Sequence, residues 1–383
     1  MPNTVRAARI SRLRSTLAQR LAWSALAGLA AVTGFSLTLL VGAAFALLQA
    51  REAFGAGMAL DVLPWAAIAL GLGLPALFLL RLIVAPAPAP AGVRLPREAA
   101  PDFFLLLDQI ARCIGAQPVS RVWIGSEINA AVIQRPRWGI CGPLEAELVL
   151  GLPLVHSVSR PQLAAVLAHE FAHLALQRSG YGGLGAHLRS LWMRVLDGVC
   201  EGVPVVERIA RAPLRRLCHD LLRLSRLEEY EADYCAGGLV GRRLLGQTLL
   251  EVGLKAHFLQ HDYWPMVEAH SDQRPKPAIR PFREMGLGMA AGFLREKAAV
   301  ERLRERELGE GLHGLHPGLH HRLRALRVPF RASPDSEPSA ADHYFGPLLP
   351  ALAWVFDREW WTSICSCRRR CATQARERPS LAP

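Results

Sequence analysis

Val166-Leu-Ala-His169-Glu170-Phe171-Ala172-His173-Leu-Ala175 is the stretch that decides how the rest of this chain is read. On an α-helix, positions four apart lie one turn apart on the same face, so the imidazoles of His169 and His173 can converge on one ion. Glu170, beside the first imidazole, can reach a water on that ion without being a ligand itself. The remaining residues from Val166 to Ala175 are apolar. A His-Glu-His trio buried among them is costly without a partner, and a metal ion supplies one. A random arrangement of 13 His and 22 Glu in 383 residues yields the pattern only about 0.025 times per chain. The bland reading, a satisfied pair of core histidines, is therefore the weaker one.

The helix that carries these residues has a visible start. Ser159 precedes Pro161 and is followed three residues on by Gln162, a capping-box arrangement, and the run ends before Gly180. Two histidines need a third protein ligand and an open position for water. Downstream, Ser225-Arg226-Leu-Glu228-Glu229-Tyr230-Glu231-Ala232-Asp233 puts Glu229 and Asp233 one turn apart, with small Ala232 allowing close helix approach. Glu229 is the expected third ligand, and Asp233 the group that orients a ligating imidazole. Glu228 and Glu231 are expected to face solvent, as acidic runs usually do.

Upstream, Leu21–Leu48 and Val62–Leu80 carry no charge, and each is long enough to cross a hydrocarbon core of about 30 Å. A tight turn around Arg51, Glu52 and Gly55 joins them. Pro64 and Pro75 are tolerable in a membrane helix, and Trp23 and Trp65 lie near the ends, where indoles favour the interface. Ala44-Phe45-Ala46 resembles a signal-peptide cleavage site, but the apolar stretch before it is too long and a second membrane run follows at once. Arg6, Arg9, Arg12, Arg14 and Arg20 precede the hairpin and Arg81, Arg94 and Arg97 follow it, whereas the turn holds Arg51 alone. That bias puts both ends, and everything after residue 85, in the cytoplasm.

Composition agrees. Hydrophobic residues make up 51% of the chain and mean hydropathy is +0.17, high for a soluble protein. The net charge of +12 suits an anionic membrane face; the basic residues are scattered and no nucleic-acid module accompanies them. Five of the eight cysteines are far apart in mostly apolar surroundings and read as reduced and buried. Cys365-Ser-Cys367-Arg-Arg-Arg-Cys371 lacks a fourth metal ligand. Residues 85–96 form a Pro/Ala linker. A helix is expected over Asp102–Ile114, then short strands at Arg121–Ile124, Ile128–Gln134 and Leu148–Leu150. Residues 187–226 are amphipathic and arginine-studded; Arg208, Arg211, Arg215, Arg216, Arg223 and Arg226 face either anionic lipid or solvent. The aromatic tail from Arg331 is too proline-broken to span a bilayer and packs on the domain or lies at the interface.

HEFAH, then SRLEEYEAD, then His316-Pro317-Gly318-Leu319-His320-His321-Arg322 resemble the HtpX-type and CAAX prenyl protease-type zinc metallopeptidases, whose pattern is HExxH, SRxxExxAD and HPxxxxR in that order. The resemblance covers roughly residues 95–330. It implies zinc ligands His169, His173 and Glu229, general base Glu170, and Asp233 behind a ligand. It also places His316 and Arg322 near the active site, in oxyanion stabilisation or in holding the ligand helix. Asn129 and Ala130 resemble the substrate-side edge strand. HtpX-type members carry further membrane helices after HExxH; residues 180–226 are too charged for that, so one N-terminal hairpin tethering a catalytic domain is expected.

The expected fold is α+β, mainly α: a basic segment and transmembrane hairpin over 1–84, the linker 85–96, a zincin-like catalytic domain with a small β-sheet over 97–330, and a tail over 331–383. The expected function is a membrane-anchored zinc endopeptidase with one Zn2+ per chain, acting on peptide or protein substrates and seated in the inner membrane with no nucleic-acid partner. The alternative is a zinc-stabilised scaffold or chaperone-like protein, which would have less need of Glu170.

Overall fold

The computed structural model describes residues 2–138, 141–177, 183–202, 204–272, 279–291, 300–305, 317–331 and 337–377. The fold is mostly helical with one small sheet, as expected. Two helices, α1 (Pro2–Gly55) and α2 (Ala59–Val84), form the N-terminal hairpin. The stretches Ile10–Gly55 and Ala59–Val84 are long and apolar enough to cross a membrane, and only 17% and 11% of their most apolar windows are buried. A core helix of a soluble protein would hide such residues. Here Phe35, Val41, Phe45, Leu60, Leu63, Leu70 and Leu74 are exposed, which fits hydrocarbon surroundings. Where the two helices pass each other, Ala43, Ala46, Ala50, Ala69 and Ala76, all small, are buried. A Cβ added at Gly73 would sit 3.7 Å from that of Ala43. Small residues let helices approach closely where lipid removes the usual hydrophobic drive for association.

The chain divides into two compact units. The first comprises residues 1–89, 134–146 and 173–231. In it α6 (Gly183–Gly202) packs on both hairpin helices. Gly28 of α1 lies against the Trp192 indole, while Gly198 and Gly202 meet Leu82 and Phe78 of α2. Leu29, Leu191 and Val195 form a buried cluster with Leu82, Leu188 and Trp192 around it. Thus the charged stretch after the metal-binding motif begins with a helix fastened to the hairpin. The long α7 (Pro204–Val240) follows; along it Arg215, Arg216 and Arg223 are exposed and Arg226 half-buried. The side chains of Arg208 and Arg211 lie outside the described residues.

The second unit comprises residues 90–133, 147–172 and 232–383. Its sheet is built from β1 (Val93–Leu95), β2 (Val119–Gly125), β3 (Ala130–Trp138) and β4 (Cys141–Gly151), the last two reaching into the first unit's residues. The strand order is β1-β2-β4-β3, which leaves β3 at an edge. β1 pairs antiparallel with β2, Val93 opposite Ile124 and Leu95 opposite Val122, so the end of the expected linker is a strand. β3 and β4 run longer than the sequence signals suggested. Pro136 reads as a break, yet β3 is an edge strand, which tolerates a residue without an N–H.

The helix α3 (Pro101–Ile114) matches its expectation. A short α4 (Leu152–Ser157) then leads into α5 (Arg160–Gln177), which carries the histidines. Half of the expected capping box forms: the Ser159 N–H donates to Gln162 Oε1 at 3.0 Å. Leu163, Leu167, Ala168, Phe171 and Ala172 bury one side of α5. After α7 come α8 (Arg242–Phe258), α9 (Trp264–Asp272), α10 (Pro281–Ala291), α11 (Leu319–Leu326), α12 (Ala340–Phe345) and α13 (Leu349–Glu377). The tail is built into this core. Ala340 N–H donates to Val158 O at 2.8 Å, Ser339 bridges Ser159, and Phe345 packs on Phe103 with ring centroids 5.0 Å apart.

The cysteines depart from expectation. Cys113, Cys218 and Cys235 are exposed, and Cys200 is half-buried. Apolar neighbours in sequence did not make a buried face.

Candidate metal centre

Two helices supply the site, each through residues one turn apart. On α5, His169 is buried and His173 half-buried; on α7, Glu229 and Asp233 are both buried. His173 Nε2 lies 3.3 Å from Glu229 Oε1, and His169 Nδ1 lies 3.1 Å from Asp233 Oδ1. The earlier residue of one helix faces the later residue of the other, so α5 and α7 run past each other in opposite directions.

His169, His173 and Glu229 each offer one ligand atom, and these atoms all lie within 4.8 Å of one another. Two neutral imidazoles and a carboxylate are a zinc-type donor set. A tetrahedral ion with bonds of about 2.0–2.1 Å sets neighbouring ligand atoms about 3.3–3.4 Å apart. The 3.3 Å edge between His173 and Glu229 meets that requirement. The residues present therefore fit the ion that the motif implies.

Asp233 explains how His169 is held. Its Oδ1 accepts from His169 Nδ1–H, so Nε2 is the nitrogen that could ligate an ion. The carboxylate is itself gripped by Arg322, whose Nε donates to Oδ2 at 2.8 Å and whose Nη2 donates to Oδ1 at 2.6 Å. Burial opposes ionisation of Asp233, but the hydrogen bonds from Arg322 and His169 outweigh it and hold the carboxyl below its usual range. Arg322 Nη2 is also 3.4 Å from both His169 ring nitrogens. Arg322, on α11, touches both His169 and the Asp233 carboxylate.

Glu170 is half-buried on α5, next to His169. His316 lies outside the described residues. Asn129 and Ala130 stand at the start of edge strand β3. The Asn129 N–H donates to Glu127 O at 2.9 Å and its carbonyl accepts from Gly151 N–H at 2.7 Å, so its main chain is already engaged. Gly151 is required there by close approach: a Cβ would lie 1.6 Å from Glu127 O.

Glu228 and Glu231 correct the sequence reading, which turned both to solvent. Their side chains are 18% and 17% exposed. Glu231 pairs with Arg14, and Glu228 lies 3.8 Å from Arg189. Burial pushes the Glu228 carboxyl up, against the pull of Arg189. Arg14, read from sequence only as a topology flank, is 4% exposed. Nothing in a basic N-terminal run distinguished it from its neighbours Arg12 and Arg20, which are exposed.

Comparison with known proteins finds one relationship. Residues 144–329 match the model of peptidase family M48; no curated protein and no solved structure matches the chain. The matched stretch holds α5, α7 and α11 with all five residues His169, His173, Glu229, Asp233 and Arg322. It agrees with the resemblance to HtpX-type and CAAX prenyl protease-type enzymes. Residues 144–329 of this chain are thus similar to peptidase family M48, the kind of metallopeptidase that the three motifs resemble.

Proposed function

We propose that this chain is a membrane-anchored zinc endopeptidase that cleaves membrane-associated or misassembled proteins, with its catalytic residues on the cytoplasmic side of an inner membrane. The observation that carries the reading is the convergence of His169, His173 and Glu229 ligand atoms within 4.8 Å, with Glu170 adjacent to the first of them in the chain. The arginines flanking the hairpin support the orientation.

A bound zinc ion supplies Lewis acidity, acidifying a water and polarising the scissile carbonyl. His169, His173 and Glu229 would hold the ion. Glu170 accepts the proton of the attacking water at a carboxylate oxygen and returns it to the leaving amine. Asp233 and Arg322 fix the tautomer and orientation of His169, which assigns Arg322 to positioning. An extended peptide adds to the edge of β3 from Ala130 onward, gaining main-chain hydrogen bonds with little demand on sequence.

The test is casein cleavage by full-length wild type and Glu170→Gln, with zinc content measured on both. The variant keeps one zinc and loses activity by about 10²–10⁴-fold, the usual worth of a general base. Undiminished cleavage by Glu170→Gln, or a wild type without zinc, refutes the reading.

A further inference from the structure

We infer that the basic foot of α1 is a working part of the metal centre, with Arg14 as a positioning residue for His173 and Glu229. This rests on the zinc reading above and deepens it. Arg14 is buried among exposed neighbours: Arg12 and Arg20 reach solvent, whereas Arg14 is 4% exposed. Its guanidinium makes two contacts that matter. Nε donates to Glu231 Oε2, two residues beyond the ligand Glu229 on α7. Nη1 donates at 3.3 Å to Leu176 O, three residues beyond the ligand His173 on α5. One side chain of the membrane helix thus ties together the two ligand-bearing helices, each within a turn of its ligand.

A second arginine repeats the arrangement. Arg189 of α6 donates to Ala18 O at 3.4 Å, one turn along α1 from Arg14, and its Nη2 lies 3.8 Å from Glu228 Oε1. The carboxylates on both sides of Glu229 are therefore held, and both grips use residues 14–18 of α1. Arg14, Ala18, Gln19, Leu176, Arg189 and Glu228 line a small crevice there.

A buried ion pair by itself says little about stability, and its best-attested use is to set register. Here the register in question is the separation of His173 from Glu229, 3.3 Å across two helices. Groups behind metal ligands typically change affinity by about ten- to a hundredfold when removed. The hairpin is then more than a tether: displacing the foot of α1 loosens the bite on the ion.

The experiment uses the full-length chain in micelles, loaded with zinc, and follows zinc release into excess chelator at 25 °C. The variants are Arg14→Gln, Glu231→Gln and the double variant, with Arg97→Gln as the control that breaks the Arg97–Asp108 pair, 2.7 Å apart and partly exposed. The expected result is release about ten- to a hundredfold faster in each single variant, no faster in the double than in the quicker single, and unchanged in Arg97→Gln. Glu231→Gln breaks the same contact while leaving the bond from Arg14 to Leu176. Wild-type release rates in folded Arg14→Gln and Glu231→Gln overturn the inference, as does a double variant whose effect is the product of the singles. Loss of folding in both singles assigns the contact to stability alone and equally overturns it. A wild type that holds no zinc overturns the zinc reading as well; one that holds zinc while Arg14→Gln releases it at the wild-type rate overturns this inference only.

Discussion

Replacing Asp233 by Asn tests the chain of contacts behind His169. Asp233 is 2% exposed, accepts from His169 Nδ1–H at 3.1 Å, and takes both arms of the Arg322 fork at 2.8 and 2.6 Å. Asn has almost the same shape but no charge, and its amide turns a second donor towards either the guanidinium or the imidazole. Two effects follow. Leaving Arg322 buried without its anion costs about 3–5 kcal/mol of stability. Loosening the imidazole weakens zinc binding by about ten- to a hundredfold, or roughly 1.4–2.7 kcal/mol. Chelator competition on the purified chain reads the second, and thermal unfolding of the metal-free form reads the first. Adding Arg322→Met to the Asp233→Asn chain separates them. It removes the stranded cation, so the double variant recovers part of the lost stability without recovering zinc affinity. Wild-type affinity in Asp233→Asn, or strictly additive effects of the two substitutions, would refute the idea that Arg322 acts through Asp233.

Acid should act through the same carboxylate. Asp233 titrates below its ordinary range in the fold, so its contribution is complete above the unfolded value of about 3.9 and disappears as pH falls through the folded one; the acid limb of metal-free stability against pH is therefore shallower in Asp233→Asn than in wild type. Val132→Pro on edge strand β3 removes a main-chain donor and is expected to lower kcat/KM for peptides tenfold or more, at a cost of roughly 1.4 kcal/mol in transition-state binding, with zinc content unchanged; equal cleavage would remove strand addition as the binding mode. Phe345→Ala, which empties a fully buried site against Phe103, should cost about 3–5 kcal/mol, and a loss under about 1 kcal/mol in denaturant unfolding would mean that the tail is an appendage after all.

Much of the architecture was legible in the primary structure because it is written in local patterns. Two uncharged runs of bilayer length specify the apolar hairpin irrespective of what surrounds them, and four-residue spacing puts His169 over His173 in any helix. The same spacing puts Glu229 and Asp233 one turn apart, and the packing of α5 against α7 brings the two pairs together. Strand lengths were less legible. Pro136 reads as a break, but its cost depends on whether β3 lies at an edge, and strand order is not a local property.

The remainder depended on which faces meet across long stretches of chain. Glu228 and Glu231 look like any solvated acidic run until Arg189 and Arg14 are brought against them. Arg14 and Glu231 are 217 residues apart, and no periodicity connects them. The cysteines failed in the opposite sense: apolar neighbours in sequence predict burial only if the helix turns that face inward, and Cys113, Cys218 and Cys235 face out. Local spacing thus settled which of these side chains share a helix face. Only the packing of α1, α5, α7 and α11 decided which charges hold those side chains in place, because an ion pair is stabilised by distance and desolvation, and both belong to the folded chain.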